Sequence, residues 1–219
     1  MLGIRNFVQS FSSSSASRTM TKLKTPPAPT LPTAIKSRDE AKLEEGTETA
    51  VFANGCFWGT EHFFKTYYGH LPQFSCVSGY TGGDVAKPSY RQVCSGTTGH
   101  AESVKLTYQK GSVGYGELVE FHLRTHDPTT VDRQGPDRGS QYRSAIFYTT
   151  PEQKEIAEKV IAEAQEKYVK GKIVTELAPL KDWYNAEDYH QDYLFENPNG
   201  ESRSAFHSRS LSKPSCVIL

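Results

Sequence analysis

"ETAVFANGCFWGTEHFFKTYYG", residues 48–69, reads as a strand, a tight turn and a helix, and the rest of the fold is reached by working outward from it. "ETAVFAN" has the β-branched and aromatic content of a strand that ends at the Asn54-Gly55 turn signal, and "TEHFFKTYYG" reads as a helix stopped by Gly69. A helix beginning near Gly59 puts Cys56 in the connecting turn, close to the helix's positive end, where the dipole and free amides favour a thiolate. Taken alone, however, a cysteine beside Phe57 and Trp58 reads more readily as a packed core residue, so other residues must decide.

Beyond this unit, "QFSCVSGY" and "SAIFYTT" are predicted strands, and "ESVKLTY" alternates as a half-buried strand should. "YGELVEFHLRTH" is predicted helical. "TPEQKEIAEKVIAEAQEKYVKG" is the clearest helix, with Thr150 as cap, Pro151 at the first position, Gln153 completing a capping box and Gly171 as the stop. Its apolar face is Ile156, Val160, Ile161 and Ala164. "KIVTEL" supplies a late strand. The interleaving predicts an α/β sandwich with one mixed sheet. There are no internal repeats.

The first 38 residues contain Arg5, Arg18, Lys22, Lys24, Lys36 and Arg38, a run of Ser12 to Ser15, and no acidic residue before Asp39. Ile4, Phe7, Val8 and Phe11 recur at helical spacing, which predicts a mitochondrial targeting segment; a tail without fixed structure is the alternative. Met20 offers a second start for a cytoplasmic product. "TPPAPTLPTA", residues 25–34, reads as a linker. The expected organisation is a disordered targeting segment and linker over 1–45, a catalytic domain over 46–200 and a mobile tail over 201–219.

The chain has 219 residues and equal numbers of acidic and basic side chains, 25 of each, enough for one globular domain and without the basic excess that nucleic-acid binding requires. No run of about 18 apolar residues suits a transmembrane helix. Cys56, Cys76, Cys94 and Cys216 lie far apart, so no metal site is expected, and the thiols should stay reduced unless catalysis oxidises them.

In the alternating strand Glu102, Val104, Leu106 and Tyr108 share one face. A carboxylate on that apolar side is paired, desolvated until its pKa rises toward neutrality, or released to solvent at the strand end.

Three stretches together resemble the A-type peptide methionine sulfoxide reductases: "GCFWGTE" at 55–61, "PSYRQVCSGTTGHAE" at 88–102 and "HDPTTVDRQGPDRGSQYRSAIFY" at 126–148. The resemblance continues through "DWYNAEDYHQDYL" and covers about residues 47–200. It implies a two-layer sandwich with a ferredoxin-like core, and reduction of the S epimer of methionine sulfoxide, free or in oxidised proteins. By position it implies Cys56 as nucleophile and Phe57 and Trp58 as the pocket for the substrate methyl group. Glu102 would be the proton donor, Tyr90 and Tyr142 would hold the oxygen, and Asp137 would belong to the same polar cluster. The nucleophile becomes a sulfenic acid, a second thiol closes a disulfide, and thioredoxin reduces it, with no other cofactor. A monomer is expected.

Many relatives have a cysteine just after the segment that ends here in Asn199-Gly200, where this chain has Glu201, Ser202 and Arg203. Cys216 is therefore the first candidate for the resolving thiol, ahead of Cys94 and Cys76, which read as buried structural thiols on strands. Cys216 also begins "CVIL", a prenylation box with Arg209 and Lys213 upstream, which would give only weak, reversible membrane contact. A prenylated Cys216 could not resolve a sulfenic acid. Two rival readings are a hydrolase pairing Cys56 with His62, His100 or His190, and a module that only binds oxidised methionine.

Overall fold

The structure, a computed structural model, describes residues 23–198. Expectations for the targeting segment up to Lys22, for the start at Met20 and for Cys216 in the tail lie outside the described residues. In chain order the elements are α1 (Pro32–Glu40), β1 (Thr47–Asn54), α2 (Phe57–Tyr68), β2 (Ser75–Thr81), α3 (Tyr90–Cys94), β3 (Ala101–Gln109) and α4 (Tyr115–Arg124). There follow β4 (Arg133–Gln134), β5 (Asp137–Arg138), β6 (Ser144–Tyr148), α5 (Pro151–Lys167), β7 (Glu176–Pro179), β8 (Trp183–Asn185) and α6 (Tyr193–Glu196).

One sheet runs β7-β6-β1-β3-β2-β8, and β4 and β5 form a separate hairpin. Every pair in the sheet is antiparallel except β6 with β7, so the sheet is mixed. The inner order β6-β1-β3-β2, with α2 after β1 and α4 after β3, is the ferredoxin-like arrangement.

Alternation assigns the two faces. Ala50 and Phe52 of β1, Val104, Leu106 and Tyr108 of β3 and Ile146 of β6 face the helices, where Phe64 and Tyr68 of α2 and Phe121 of α4 fill the core. Phe52 stacks on Phe64 with ring centroids 5.3 Å apart, and burial of each such ring contributes about 2–3 kcal/mol. The opposite face is a smaller cluster of Val51, Ala53, Ala101, Ala145 and Phe147, covered by Leu180 and Trp183.

Three expectations need correction. Residues 25–34 are no loose linker: Leu31 and Ala34 are fully buried, and Pro32 opens a helix at the position where its missing N–H costs nothing. α1 has no side-chain cap of its own, but its neighbours supply carboxylates. Glu120 of α4 accepts from the Thr30 amide at 2.9 Å and the Leu31 amide at 3.0 Å, and Glu163 of α5 accepts from the Thr33 amide at 3.0 Å. Within the span expected to be disordered, residues Pro32–Glu40 thus form a helix held against α4 and α5. Second, α5 ends at Lys167, short of Gly171, because the Val169 amide reaches back to the Ala164 carbonyl and the Gln165 side chain occupies the next backbone groups. Its cap is also rearranged: Thr150 accepts from the Gln153 amide, but the Gln153 carbonyl oxygen accepts from Thr149, while its amide group donates to Thr49 of β1 at 2.8 Å. Third, of "KIVTEL" only Glu176 and Leu177 join the sheet, since the Val174 amide is taken by Pro128.

Candidate active site

The turn between β1 and α2 is built on Gly55, whose φ of +95° is left-handed and whose added Cβ would lie 2.7 Å from the Gln134 side chain. Asn54 bonds the Thr60 hydroxyl on one side and donates to Thr125 at 3.1 Å on the other, so the turn is braced from two sides. The next residue, Cys56, caps α2 as a half-buried free thiol. The helix begins at Phe57, two residues earlier than Gly59, and its first amide donates to Glu102 Oε2 at 3.1 Å.

The expected thiolate is not the resting form. The Trp58 and Gly59 amides pull the Cys56 pKa down, but burial first, then the charges of Glu102 and Asp137, push it well above the usual thiol range. Helix-end stabilisation is outweighed because the same burial that shapes the turn removes water from the sulfur.

Glu102 is 1% exposed, opposite Tyr80 in the β2–β3 register, and its Oε1 has no partner. Of the alternatives open in the sequence, desolvation applies. Burial pushes the carboxyl up to about 8, with Asp137 adding to the rise and the Phe57 amide opposing it. At pH 7 this side chain is therefore chiefly an O–H donor.

Tyr142, at the end of a 3-10 turn over Ser140–Tyr142, feels the charges of Glu102, Cys94, Cys56 and Asp137. Tyr90, the first residue of α3, feels Glu102 and Tyr142, and burial holds both phenols above their ordinary range, so both remain donors. Asp137 sits half-buried on β5, its carboxyl also raised by burial. The structure thus gathers Cys56, Glu102, Tyr90, Tyr142 and Asp137 at one end of the sheet.

The two aromatics differ in role. Phe57 is 1% exposed and packs beneath the site against Tyr80, Tyr90 and His190. Trp58 is half-buried, stacked on Tyr193 with centroids 3.7 Å apart, and its indole N–H donates to His190 Nδ1 at 3.1 Å. Trp58 and Tyr193 therefore present the apolar wall, and Phe57 is its floor.

Residues 187–193 form a strap that fixes this wall, a feature the sequence reading missed. Glu187 accepts from the Tyr80 hydroxyl at 2.8 Å and the Tyr90 amide at 3.0 Å. Gln191 pairs with both backbone groups of Ser78, and Asp192 is clamped by Lys65 at 2.7 Å while its amide donates to Glu61 at 2.8 Å. Burial lifts the Glu61 carboxyl to about 7 despite Lys65. No periodicity advertises such a segment; "HQDY" with its run of hydrogen-bonding side chains is the only signal.

The remaining thiols separate. Cys76 is buried on β2, as expected. Cys94 is not a buried strand thiol: it ends the one-turn helix α3 and is exposed. The histidines offered as bases have different surroundings. His190 Nδ1 is used by Trp58, both nitrogens of His100 are used by Gly83 and Val85, and the His62 ring packs on Phe195.

Comparison with known proteins places these features in a wider set. The family described as Peptide methionine sulfoxide reductase matches residues 48–214. The chain is 45% identical to the "Probable peptide methionine sulfoxide reductase" of Schizosaccharomyces pombe over 157 residues, 70% of this chain and 91% of that one. Among solved structures it resembles reduced Mxr1 of Saccharomyces cerevisiae with a TM-score of 0.68 and 38% identity, covering 73% of this chain and 91% of that one. Mxr1 in complex with Trx2 also matches, with a TM-score of 0.50 and 27% identity over 70% of this chain and 90% of that one.

Proposed function

The chain belongs to the peptide methionine sulfoxide reductase family, which reduces methionine sulfoxide to methionine, and on that premise we propose that Cys56 is the nucleophile and Glu102 the acid of an S-epimer-specific reaction. The observation that carries this reading is the Glu102 carboxyl, held by the Phe57 amide through one oxygen, with the other oxygen buried and unpartnered beside the Cys56 turn.

Sulfoxide sulfur is a poor electrophile until its oxygen is neutralised. Protonated Glu102 donates to that oxygen, and the Tyr90 and Tyr142 hydroxyls share the developing charge, while Asp137 helps keep Glu102 protonated. The Cys56 sulfur attacks, and its proton passes to the Glu102 carboxylate. Oxygen is transferred: thiol plus sulfoxide becomes sulfenic acid plus sulfide. A positioned acid contributes about 10²- to 10⁴-fold.

Trp58 and Tyr193, over the Phe57 floor, suit a methyl group on one side of the sulfur, and the donors suit oxygen on the other. A site with fixed apolar and polar halves accepts one arrangement about a chiral sulfur, and membership of the family makes the S epimer the one proposed. The solved complex of Mxr1 with Trx2 supports a thioredoxin as the external reductant. The basic, serine-rich first residues support mitochondrial import, with the Met20 start supplying the cytoplasm.

The test is turnover of separated S and R sulfoxides of one methionyl peptide, counting sulfide formed and thiol lost. The expected result is sulfide from the S epimer only, and none from Cys56→Ser. Equal reduction of both epimers, or sulfide formation by Cys56→Ser, overturns the reading.

A further inference from the structure

Beside the apolar wall of the site lies a cluster of charged side chains that the reaction does not use. Trp58, Glu61 and Lys65 stand three and four positions apart on α2, so they share one face of the helix, and the strap meets them in order. Tyr193 lies flat on Trp58, with the rings 9° from parallel, and the residue before it is held further along the same face. The Asp192 amide donates to Glu61 Oε2 at 2.8 Å, the Lys65 ammonium donates to Glu61 Oε1 at 3.0 Å, and the same ammonium donates to Asp192 Oδ1 at 2.7 Å. Glu61 is thus satisfied at both oxygens while only 1% exposed.

A buried ion pair adds little net stability, because desolvation offsets most of the attraction, but its bonds fix one geometry. Here the geometry needs fixing. Asp192 has φ +55°, in the left-handed region, and its carboxylate makes no cap bond to α6. The backbone that turns Tyr193 toward Trp58 is therefore uphill for a residue with a Cβ, and Glu61 and Lys65 hold it there. Gln191 ties the strap to Ser78 on one side of Asp192, and Phe195 packs on His62 on the other, with 4.7 Å between centroids. A cavity of about 420 Å³, lined by Lys65, Phe74, Cys76, Asp188 and Asp192 among others, borders the clamp and leaves the strap room to shift when it loosens.

Resting on the reading of Trp58 and Tyr193 as the wall for the substrate methyl group, we infer that Glu61, Lys65 and Asp192 are positioning residues that set the site's selectivity for S-methyl over larger S-alkyl groups. Their bonds run to one another and not to Cys56, Glu102, Tyr90 or Tyr142. With the clamp closed, Tyr193 is held against Trp58 and the apolar half of the site admits one carbon on sulfur. With the clamp open, Tyr193 is free to shift and a second carbon is accommodated.

The experiment compares kcat/KM of the full-length chain, with dithiothreitol as reductant, for the S-sulfoxide of one methionyl peptide and for its S-ethyl homologue. Wild type should favour the methyl compound by roughly 10- to 200-fold, the discrimination that one methylene gives in an apolar pocket. Glu61→Gln sets an amide donor against a donor, and Asp192→Asn keeps a residue that tolerates the left-handed turn but discharges the clamp. Each should narrow the ratio about threefold or more, chiefly through KM. The double variant should narrow it no further than the stronger single one, since both open the same clamp. Lost stability alone slows both substrates in proportion and leaves the ratio unmoved. Asp192, whose side chain is 36% exposed, carries the test by itself if Glu61→Gln does not fold. Tyr193→Ala separates the two readings: an unchanged ratio there refutes the wall beneath the inference. A ratio that collapses in Tyr193→Ala but holds in Glu61→Gln and Asp192→Asn overturns the clamp, as do additive effects in the double variant or a wild type that takes both substrates equally.

Discussion

Glu102 is costly where it stands. One oxygen rests on the Phe57 amide, the other on nothing, and burial holds its carboxyl near 8. Since the folded pKa is raised above the ordinary carboxylate value, the group favours folding at low pH, and that advantage is lost as pH rises toward and through about 8. Glu102→Gln keeps the shape without the charge, so it should stabilise the protein at pH 9 by roughly 2–4 kcal/mol in urea unfolding while slowing sulfide formation about 10²- to 10⁴-fold. Unchanged stability at pH 9 would mean that the carboxyl is not desolvated. Trp58→Ala removes the Tyr193 stack and the His190 bond, and should raise KM for a methionyl sulfoxide peptide about tenfold or more, consistent with losing 1.5–3 kcal/mol of apolar contact. Glu102 on the apolar face of its strand is legible from alternation alone. The protonation state of Cys56 is not, because sequence shows the helix end beside it but not the burial that outweighs the dipole.

At the scale of elements, the β1–α2 turn and the strap at 187–193 carry the site. Gly55→Ala combines a left-handed φ with contact against Gln134, so it should destabilise the protein by about 1–3 kcal/mol in thermal or urea unfolding. A neutral outcome would show that the turn can relax. Both elements flanking Gly55 are legible, since hydrophobic period and stop signals coincide there. The strap is opaque because its order comes from side chains at 187, 191 and 192 reaching partners more than 90 positions away in sequence. α1 is misread for a related reason. Proline signals a break in local terms, and the carboxylates that make Pro32 a helix start belong to Glu120 and Glu163.

At the scale of the molecule, the inner order β6-β1-β3-β2 follows from elements that periodicity identifies, whereas the outer strands β7 and β8 are short and edge-placed, where pattern is weakest. The convergence of Cys56, Tyr90, Glu102, Asp137 and Tyr142 from five segments is visible in the sequence only through family resemblance, since no spacing rule joins them. The ordered stretch ahead of β1 belongs to the folded unit. Leu31 is fully buried, so removal of residues 1–41 should lower stability by about 2–5 kcal/mol, measurable as a fall in Tm, whereas removal of residues 1–22 takes away none of these contacts. Equal Tm values for the two truncations would show that α1 merely rests on the surface.

The most direct test of proton donation by Glu102 is the pH dependence of sulfide formation in a single turnover, which excludes the recycling steps. The rate should be level in mildly acidic buffer and decline as pH rises through about 8, with that decline absent from Glu102→Gln. A rate that climbs through the same range in wild type, or a Glu102→Gln variant with the wild-type profile and speed, would contradict it.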